Sequence, residues 1–222
     1  MIYIYYFIIL KNIIECLNNM NIIIILALAT PYYYNHCIHN MGNSGPMGII
    51  HASLAPLFTK IIDKKAYNGI NIRKNIYSKF DSNNVLDLCC GTGFSTKPGT
   101  IGVDTSREML KFANIYNPGS QYIYGNAENF GTTDTYDYVT CMFAFHEMPN
   151  KAHIKIIDNA IRIAKKKVVI VDISTSYTPS KLMLAGEPYI LNYLDTIDSI
   201  LSDFNKTTLI SGHVDQWEFV KN

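Results

Sequence analysis

The apolar positions from about Pro46 onward alternate between helical and strand spacing. Leu54, Leu57 and Phe58 recur at helical spacing, and a second helix is predicted near Ile70–Phe80. Short apolar runs then predict strands at Val85–Cys89, Thr100–Val103, Gln121–Tyr124, Tyr136–Phe143 and Val168–Ile173. Amphipathic segments predict further helices at Glu108–Tyr116, with Ser106 as its N-cap, Lys151–Ala164 and Tyr189–Phe204.

The order of these segments predicts an α/β fold. Strands that alternate with helices form a parallel sheet that is covered on both faces. The chain ends in Thr207–Ile210, a short turn and Val214–Val220, which together predict a hairpin. Lys165–Lys167 are expected to close the helix in front of the fifth strand, where their charges would complement the helix dipole.

The first 45 residues differ from the rest of the chain. Ile2–Leu10 and Ile22–Ala29 are apolar runs, each well short of the roughly 20 residues that a membrane-spanning helix needs. Three interpretations stand: a targeting or membrane-associating segment within residues 1–29, upstream sequence before a true start at Met20 or Met41, and a membrane span. Gly42–Gly48 is predicted to be a linker. The predicted organisation is an N-terminal extension at 1–45 and one domain at 46–222.

Composition excludes several classes of protein. With 17% charged and 48% hydrophobic residues, the chain is not wholly disordered. The net charge of +1 gives no basic excess, so nucleic acid is not the expected partner. Five scattered cysteines without a CxxC pair predict neither a zinc site nor a disulfide scaffold, and no metal is expected. Reduced thiols favour a cytoplasmic domain, while the apolar N-terminus leaves membrane association or organelle targeting open.

The strongest chemical signal is the run VLDLCCGTGFS at 85–95. An apolar strand carries Asp87 into a turn with Gly91 and Gly93, whose missing side chains let the backbone approach a ligand. The next strand leads to Asp104, and an acid at that place can accept both hydroxyls of a ribose. A nicotinamide dehydrogenase is the nearest competitor, but its fingerprint needs glycine where Thr96 stands.

This turn is followed by four further segments: IGVDTSREML at 101–110, GNAE at 125–128, YDYVTCMFAFHEM at 136–148 and VVIVDI at 168–173. In order and spacing the series resembles the motifs of class I S-adenosylmethionine-dependent methyltransferases, over about residues 50–222. The closest likeness is to the small-molecule branch that includes the quinone-biosynthesis methyltransferases. The resemblance implies a Rossmann-like, doubly wound sheet of seven strands with an antiparallel last strand, and S-adenosyl-L-methionine as cofactor. It also implies methyl transfer to a small acceptor.

The resemblance also implies residue roles. The cofactor contacts would be Asp87, Cys89, Gly91, Gly93, Asp104, Thr105, Met109, Ala127, Glu128 and Phe143. Among them, Asp87 would lie near the amino group of the methionine moiety and Phe143 would face the sulfonium. The substrate contacts would be Glu147, Glu187 and Tyr189. His146 is the candidate catalytic residue, as a general base or substrate contact, and a hydrogen-bonded structural histidine is the alternative.

Three departures from the family pattern bear on function. Cys89 stands at the first glycine of the loop, and Asn126 replaces the acid that usually precedes Ala-Glu. Ten residues separate Gly93 from Asp104, and Pro98 and Gly99 among them disfavour a helix, so the first crossover helix is expected to shrink to about a turn. The 50–80 helices would then cover that sheet face. A degenerate module that binds the cofactor without catalysis is the first alternative function, and a protein methyltransferase is the second.

The aromatic side chains near the predicted site bear on the acceptor. Phe143, Phe145, Tyr189 and Tyr193 predict an acceptor that is small and aromatic or apolar. A phenol, carboxylate or acidic carbon would need one base, whereas a neutral amine would need only orientation and desolvation.

Overall fold

The computed structural model of the chain describes residues 42–221. They form a seven-stranded sheet with helices on both faces. The strands are β1 Val85–Leu88, β2 Ile101–Asp104, β3 Gln121–Tyr124, β4 Tyr136–Met142, β5 Ala164–Ile173, β6 Asn205–Ile210 and β7 Val214–Val220. The helices are α1 Gly45–Lys65, α2 Ile72–Tyr77, α3 Arg107–Tyr116, α4 Asn150–Ile163, α5 Lys181–Gly186 and α6 Ile190–Ile200, with a 3-10 turn at Phe145–Glu147.

The strand order in the sheet is β3-β2-β1-β4-β5-β7-β6. The first five strands run parallel, and Leu86 of β1 lies opposite Ile101 of β2 and Val139 of β4. β7 runs antiparallel to both β5 and β6. The predicted fold class, with seven strands and an antiparallel last strand, is confirmed. The carboxyl ends of β1, β2 and β4 meet at one edge, which is where open α/β sheets bind ligands.

Two buried apolar clusters cover the two faces of the sheet. On one face, Ile156 of α4 packs with Leu86 and Ile170. On the other face, Ile72 of α2 packs with Val169. Successive residues of β5 therefore point to opposite faces and are buried on both, which explains the continuous apolar run in the sequence.

The link from β1 to β2 contains turns and bends but no helix. Polar side chains hold it in place of helix packing. Lys97 Nζ donates to the carbonyls of Phe80 and Ser82 at 3.1 and 2.8 Å, and Asn117 Nδ2 donates to the Thr96 carbonyl at 3.1 Å. The predicted shortening of the first crossover helix is thus complete. As expected for the 50–80 helices, α2 contributes to the apolar cluster on one sheet face.

Two local predictions are wrong, and a third is met over a shorter range. Lys165–Lys167 lie in β5 and not at a helix end, because the strand already pairs with β4 at Ala164 and with β7 at Lys167. The helix predicted at Tyr189–Phe204 is present as α6, which ends earlier, at Ile200, and α5 before it was not predicted. Gly42–Gly48 is not a linker, because α1 begins at Gly45 with a proline in its first turn, where the missing N–H leaves no helical hydrogen bond unmade.

The apolar runs at residues 1–29 lie outside the described residues. Within 42–221, no helix is long and apolar enough to cross a membrane.

Candidate functional site

A cavity of about 550 Å³ opens at the carboxyl ends of β1, β2 and β4. Eight of the predicted site residues line it: Cys89, Gly91, Asp104, Thr105, Met109, Ala127, Phe143 and Glu147. Six others lie outside the lining: Asp87, Gly93, Glu128, His146, Glu187 and Tyr189. The volume falls within the range of roughly 300–1,000 Å³ that small-molecule and cofactor sites occupy.

The two loops that frame the cavity carry strained backbone. Cys89 after β1 and Phe143 after β4 have φ values of +58° and +57°, in the left-handed region that side-chain-bearing residues rarely adopt. Gly91 and Gly93 adopt φ values of +51° and +80° without that cost. The first loop position therefore keeps the conformation that glycine would favour although a cysteine stands there. Strain of this kind persists where the surrounding structure enforces it, often at ligand sites.

Asp104 joins the loop after β1 to the start of α3. Its Oδ2 accepts a hydrogen bond from the Gly91 backbone N–H at 2.8 Å, and its Oδ1 accepts one from the Ser106 N–H at 2.8 Å. Burial raises the pKa of this carboxyl, while both backbone donors counteract that rise. An ionised carboxylate offers about four lone-pair sites. Asp104 can therefore hold this geometry and still accept further hydrogen bonds from a ligand in the cavity.

The predicted N-cap of α3 is confirmed beside it. Ser106 Oγ accepts from the Met109 N–H at 3.1 Å and also contacts the Asn43 carbonyl ahead of α1. Asn126, at the departure from the family pattern, also lines the cavity, and its Oδ1 accepts from the Glu128 N–H at 3.0 Å. The Glu128 carboxylate pairs with Lys155 at 3.4 Å. Asn126 therefore keeps a polar side chain at this part of the cavity wall.

Asp87 lies in β1 and binds the following loop region through its carboxylate. Its carboxylate accepts hydrogen bonds from the hydroxyls of Ser95, Thr96 and Thr140 at 2.7, 2.8 and 2.8 Å. The side chain is fully buried, and burial raises its pKa to about 6 against the effect of the three hydroxyl donors. Asp87 therefore connects the β1–β2 link to β4 through these three hydrogen bonds.

Alanine substitutions at Gly91 and at Gly93 are expected to lower the free energy of unfolding by different amounts. A Cβ at Gly93 would lie 2.4 Å from the Tyr122 hydroxyl, whereas one at Gly91 would meet nothing within 4 Å. Both variants incur the left-handed backbone cost of about 1–2 kcal/mol. Gly93→Ala should lose roughly 1–3 kcal/mol more through overpacking, measured by urea unfolding. Truncation of Tyr122 to leucine should recover that excess, and equal losses at the two glycines would contradict the packing.

His146 is held by Asp172 and does not line the cavity. Its Nδ1 lies 2.6 Å from Asp172 Oδ1, while Asp172 Oδ2 accepts from the backbone N–H groups of Phe145 and His146 at 2.7 and 3.2 Å. Burial disfavours the charged ring, but the Asp172 carboxylate, with Glu147 and Glu187, outweighs it and raises the pKa of His146 to about 9. A ring that keeps its proton at neutral pH is a poor general base.

The remaining predicted substrate contacts lie around this buried pair. Glu187 ends α5, with its N–H donating to the Met183 carbonyl at 2.8 Å. Tyr189 is the N-cap residue of α6, and its carbonyl accepts from the Tyr193 N–H at 2.8 Å. Tyr193 is itself buried and its hydroxyl donates to the Ile173 carbonyl at 2.6 Å. None of these three residues lines the cavity.

The sequence interpretation missed the contribution of the N-terminal helices. Asn43, His51, Thr59 and Arg73 line the cavity, although they lie 16 residues or more before Cys89, the first residue of the loop to line it. One signal was present in the sequence: arginine occurs only three times, and two of the three arginines, Arg73 and Arg107, line the cavity. Within 42–221, no group of His, Cys, Asp and Glu side chains is arranged to hold a metal ion.

The segment that contains the glycine-rich loop matches a known protein family. Residues 85–167 match the model of a family described as a methyltransferase domain. This segment is a class I methyltransferase domain. The seven-stranded sheet with its antiparallel β7 agrees with that family, so the resemblance stated above is confirmed, together with the cofactor class that such domains use. The likeness to the quinone-biosynthesis branch stays a prediction.

Solved structures share the fold of this methyltransferase domain. A SAM-dependent methyltransferase from Aquifex aeolicus superposes with a TM-score of 0.53 at 16% identity, over 74% of this chain and 97% of that chain. Magnesium protoporphyrin IX methyltransferase from Synechocystis, crystallised with bound SAH, gives 0.50 at 15% identity, over 75% and 87%. Phosphoethanolamine N-methyltransferase 2 from Haemonchus contortus, in complex with S-adenosyl-L-methionine, gives 0.54 at 16% identity, over 68% and 52%. No curated protein sequence matches the chain.

Proposed function

We propose that this chain binds S-adenosyl-L-methionine in the cavity and transfers its methyl group to a small acceptor of aromatic or apolar character. The observation that carries the proposal is the Asp104 carboxylate, which faces the cavity and fixes the glycine loop through the Gly91 N–H. The match of residues 85–167 to a methyltransferase domain supports methyl transfer as the reaction at this site.

The lining residues fit the cofactor along its length. A Cβ built on Gly91 meets nothing, so the loop leaves open space at the place where the backbone would approach the methionine moiety. Asp104 would hold the ribose hydroxyls, and Met109 and Ala127 would enclose the adenine. When bound, the cofactor supplies the electrophilic methyl. The chain itself contributes position and orientation, which is enough for an in-line displacement when the acceptor is held close.

The acceptor end of the cavity lies beside Phe143. The Phe143 ring stacks with Tyr67 at 6.2 Å between centroids, and Glu147 lines the same cavity. An aromatic wall of this kind supports an aromatic or apolar acceptor. Glu147 is the candidate group for contact with the acceptor. His146 acts as a positioning residue in this account, because Asp172 binds its ring and the neighbouring backbone of the 143–147 loop.

The proposal is tested by following a labelled methyl group. Full-length protein is incubated with methyl-labelled S-adenosylmethionine and a protein-free small-molecule extract, and label is measured separately in the organic-extractable and protein fractions. Label in the organic fraction that requires the wild-type chain and fails with Asp104→Ala supports the small-molecule acceptor. Label in the protein fraction alone would favour a protein acceptor. Cofactor binding without transfer to either fraction would favour the non-catalytic alternative.

A further inference from the structure

One partly buried cation of the cavity, Arg73, has no role in the proposed function. Arg73 in α2 lines the cavity, and its side chain is only 15% exposed. Its Cζ lies 4.4 Å from the centroid of the Phe143 ring, which lies beside the acceptor end of the cavity in the proposed function. A guanidinium that is removed from water in this way needs compensating partners.

The partners that the fold provides for Arg73 are incomplete. Its Nη1 lies 3.5 Å from Asp63 Oδ1, and neither atom has a hydrogen-bond partner within residues 42–221. Burial raises the pKa of Asp63, and Arg73 opposes that rise. Asp63 does not line the cavity, whereas Arg73 does. The guanidinium carries five N–H donors in a planar fork, so donors remain for a ligand.

We propose that Arg73 binds a carboxylate at the Phe143 end of the cavity. A guanidinium binds a carboxylate through two parallel hydrogen bonds, which fixes orientation as well as position. Asp104 and Glu108, which also line the cavity, would repel a carboxylate from their own positions. The second lining arginine, Arg107, lies 4.2 Å over the ring of Tyr124.

Two sources can supply this carboxylate if the proposed function holds, since the inference rests on it. One is the amino-acid end of the cofactor, and the other is an acceptor that carries a carboxylate. The chemistry at Arg73 is the same for both. The two sources differ in which ligand loses affinity when the guanidinium is removed.

The test compares ligands with and without a carboxylate. Full-length wild type, Arg73→Gln, Arg73→Lys and the double variant Arg73→Gln with Asp63→Asn are titrated with S-adenosylhomocysteine and with 5′-methylthioadenosine, which lacks the amino-acid end. The double variant avoids an uncompensated Asp63 and guards against a folding defect. Lys74→Gln removes an exposed charge from the same helix and is the matched control. Benzoate and neutral benzamide are then titrated into the S-adenosylhomocysteine complex.

Two results support the proposal and identify the source. A loss of roughly tenfold or more for S-adenosylhomocysteine in Arg73→Gln, with methylthioadenosine unchanged, indicates the cofactor carboxylate. Unchanged S-adenosylhomocysteine affinity, with benzoate but not benzamide binding that depends on Arg73, indicates the acceptor. If neither ligand depends on Arg73 while wild type binds the nucleosides, the proposal is overturned and the guanidinium only packs on Phe143. If folded wild type binds neither nucleoside, the proposed function itself fails, and the inference fails with it.

Discussion

Replacing Asp172 by asparagine is expected to lower the free energy of unfolding by about 4 kcal/mol near pH 6.5 and by roughly 1 kcal/mol above pH 9.5. Asp172 holds the protonated His146 ring at 2.6 Å and raises its pKa to about 9, from an ordinary value of 6.5. A raised pKa means that the folded state binds the proton more tightly than the unfolded state. The resulting stability is complete below about pH 6.5 and is lost as the pH rises through about 9. Asparagine can still accept from the backbone N–H groups, so the remaining cost is small.

The measurement is urea unfolding of wild type and Asp172→Asn at several pH values between 6 and 10. Asp195→Asn, which replaces an exposed aspartate of α6, is the matched control and should follow wild type throughout. The difference between wild type and Asp172→Asn isolates the His146 proton from all other titrating groups. A difference that stays constant over this range would show that His146 is not protonated in the folded protein.

Removal of the Asp104 carboxylate is expected to weaken binding of S-adenosylhomocysteine by roughly 100-fold or more. The ribose hydroxyls would lose two charge-assisted hydrogen bonds, and the glycine loop would lose the acceptor that fixes the Gly91 N–H at 2.8 Å. Asp104→Ala removes both functions, while Asp104→Asn keeps the shape and removes the charge. Calorimetric titration should therefore rank wild type above Asp104→Asn and Asp104→Ala lowest.

The control for this series is an acidic residue of no predicted role. Asp203 is exposed and lies outside the cavity, so Asp203→Ala should bind as wild type does. Circular dichroism at each step separates a lost ligand contact from a lost fold. Wild-type affinity in a folded Asp104→Ala protein would contradict the assignment of the ribose site.

The parts of the site that the sequence predicts are those that local backbone determines. Asp104 is the last residue of β2 and Gly91 lies three residues after β1, so the runs of apolar residues place both at the carboxyl edge of the sheet. The position of Arg73 depends instead on how α2 packs beside the sheet, which no local pattern encodes. The same holds for His146, whose ring is bound by Asp172 from β5, 26 residues later in the chain.

The bounds of elements were predicted closely where apolar periodicity is strong. They were predicted less closely where strand pairing determines how far a strand extends. Gln121–Tyr124 was predicted to the residue, because turn residues bound it on both sides. Lys165–Lys167 carry charges that suggest a helix end, yet pairing with β4 and β7 extends β5 through them. The missing helix between β1 and β2 was predictable from Pro98 and Gly99, but the polar contacts of Lys97 and Asn117 that replace it were not.

Every role proposed for this chain requires that the cavity between β1, β2 and β4 binds S-adenosylmethionine. Its most direct test is a calorimetric titration of the full-length protein with S-adenosylhomocysteine. We expect saturable binding at one site per chain, with a dissociation constant in the range of roughly 1–100 μM. A folded protein that gives no binding heat and no ligand-induced rise in melting temperature would contradict it.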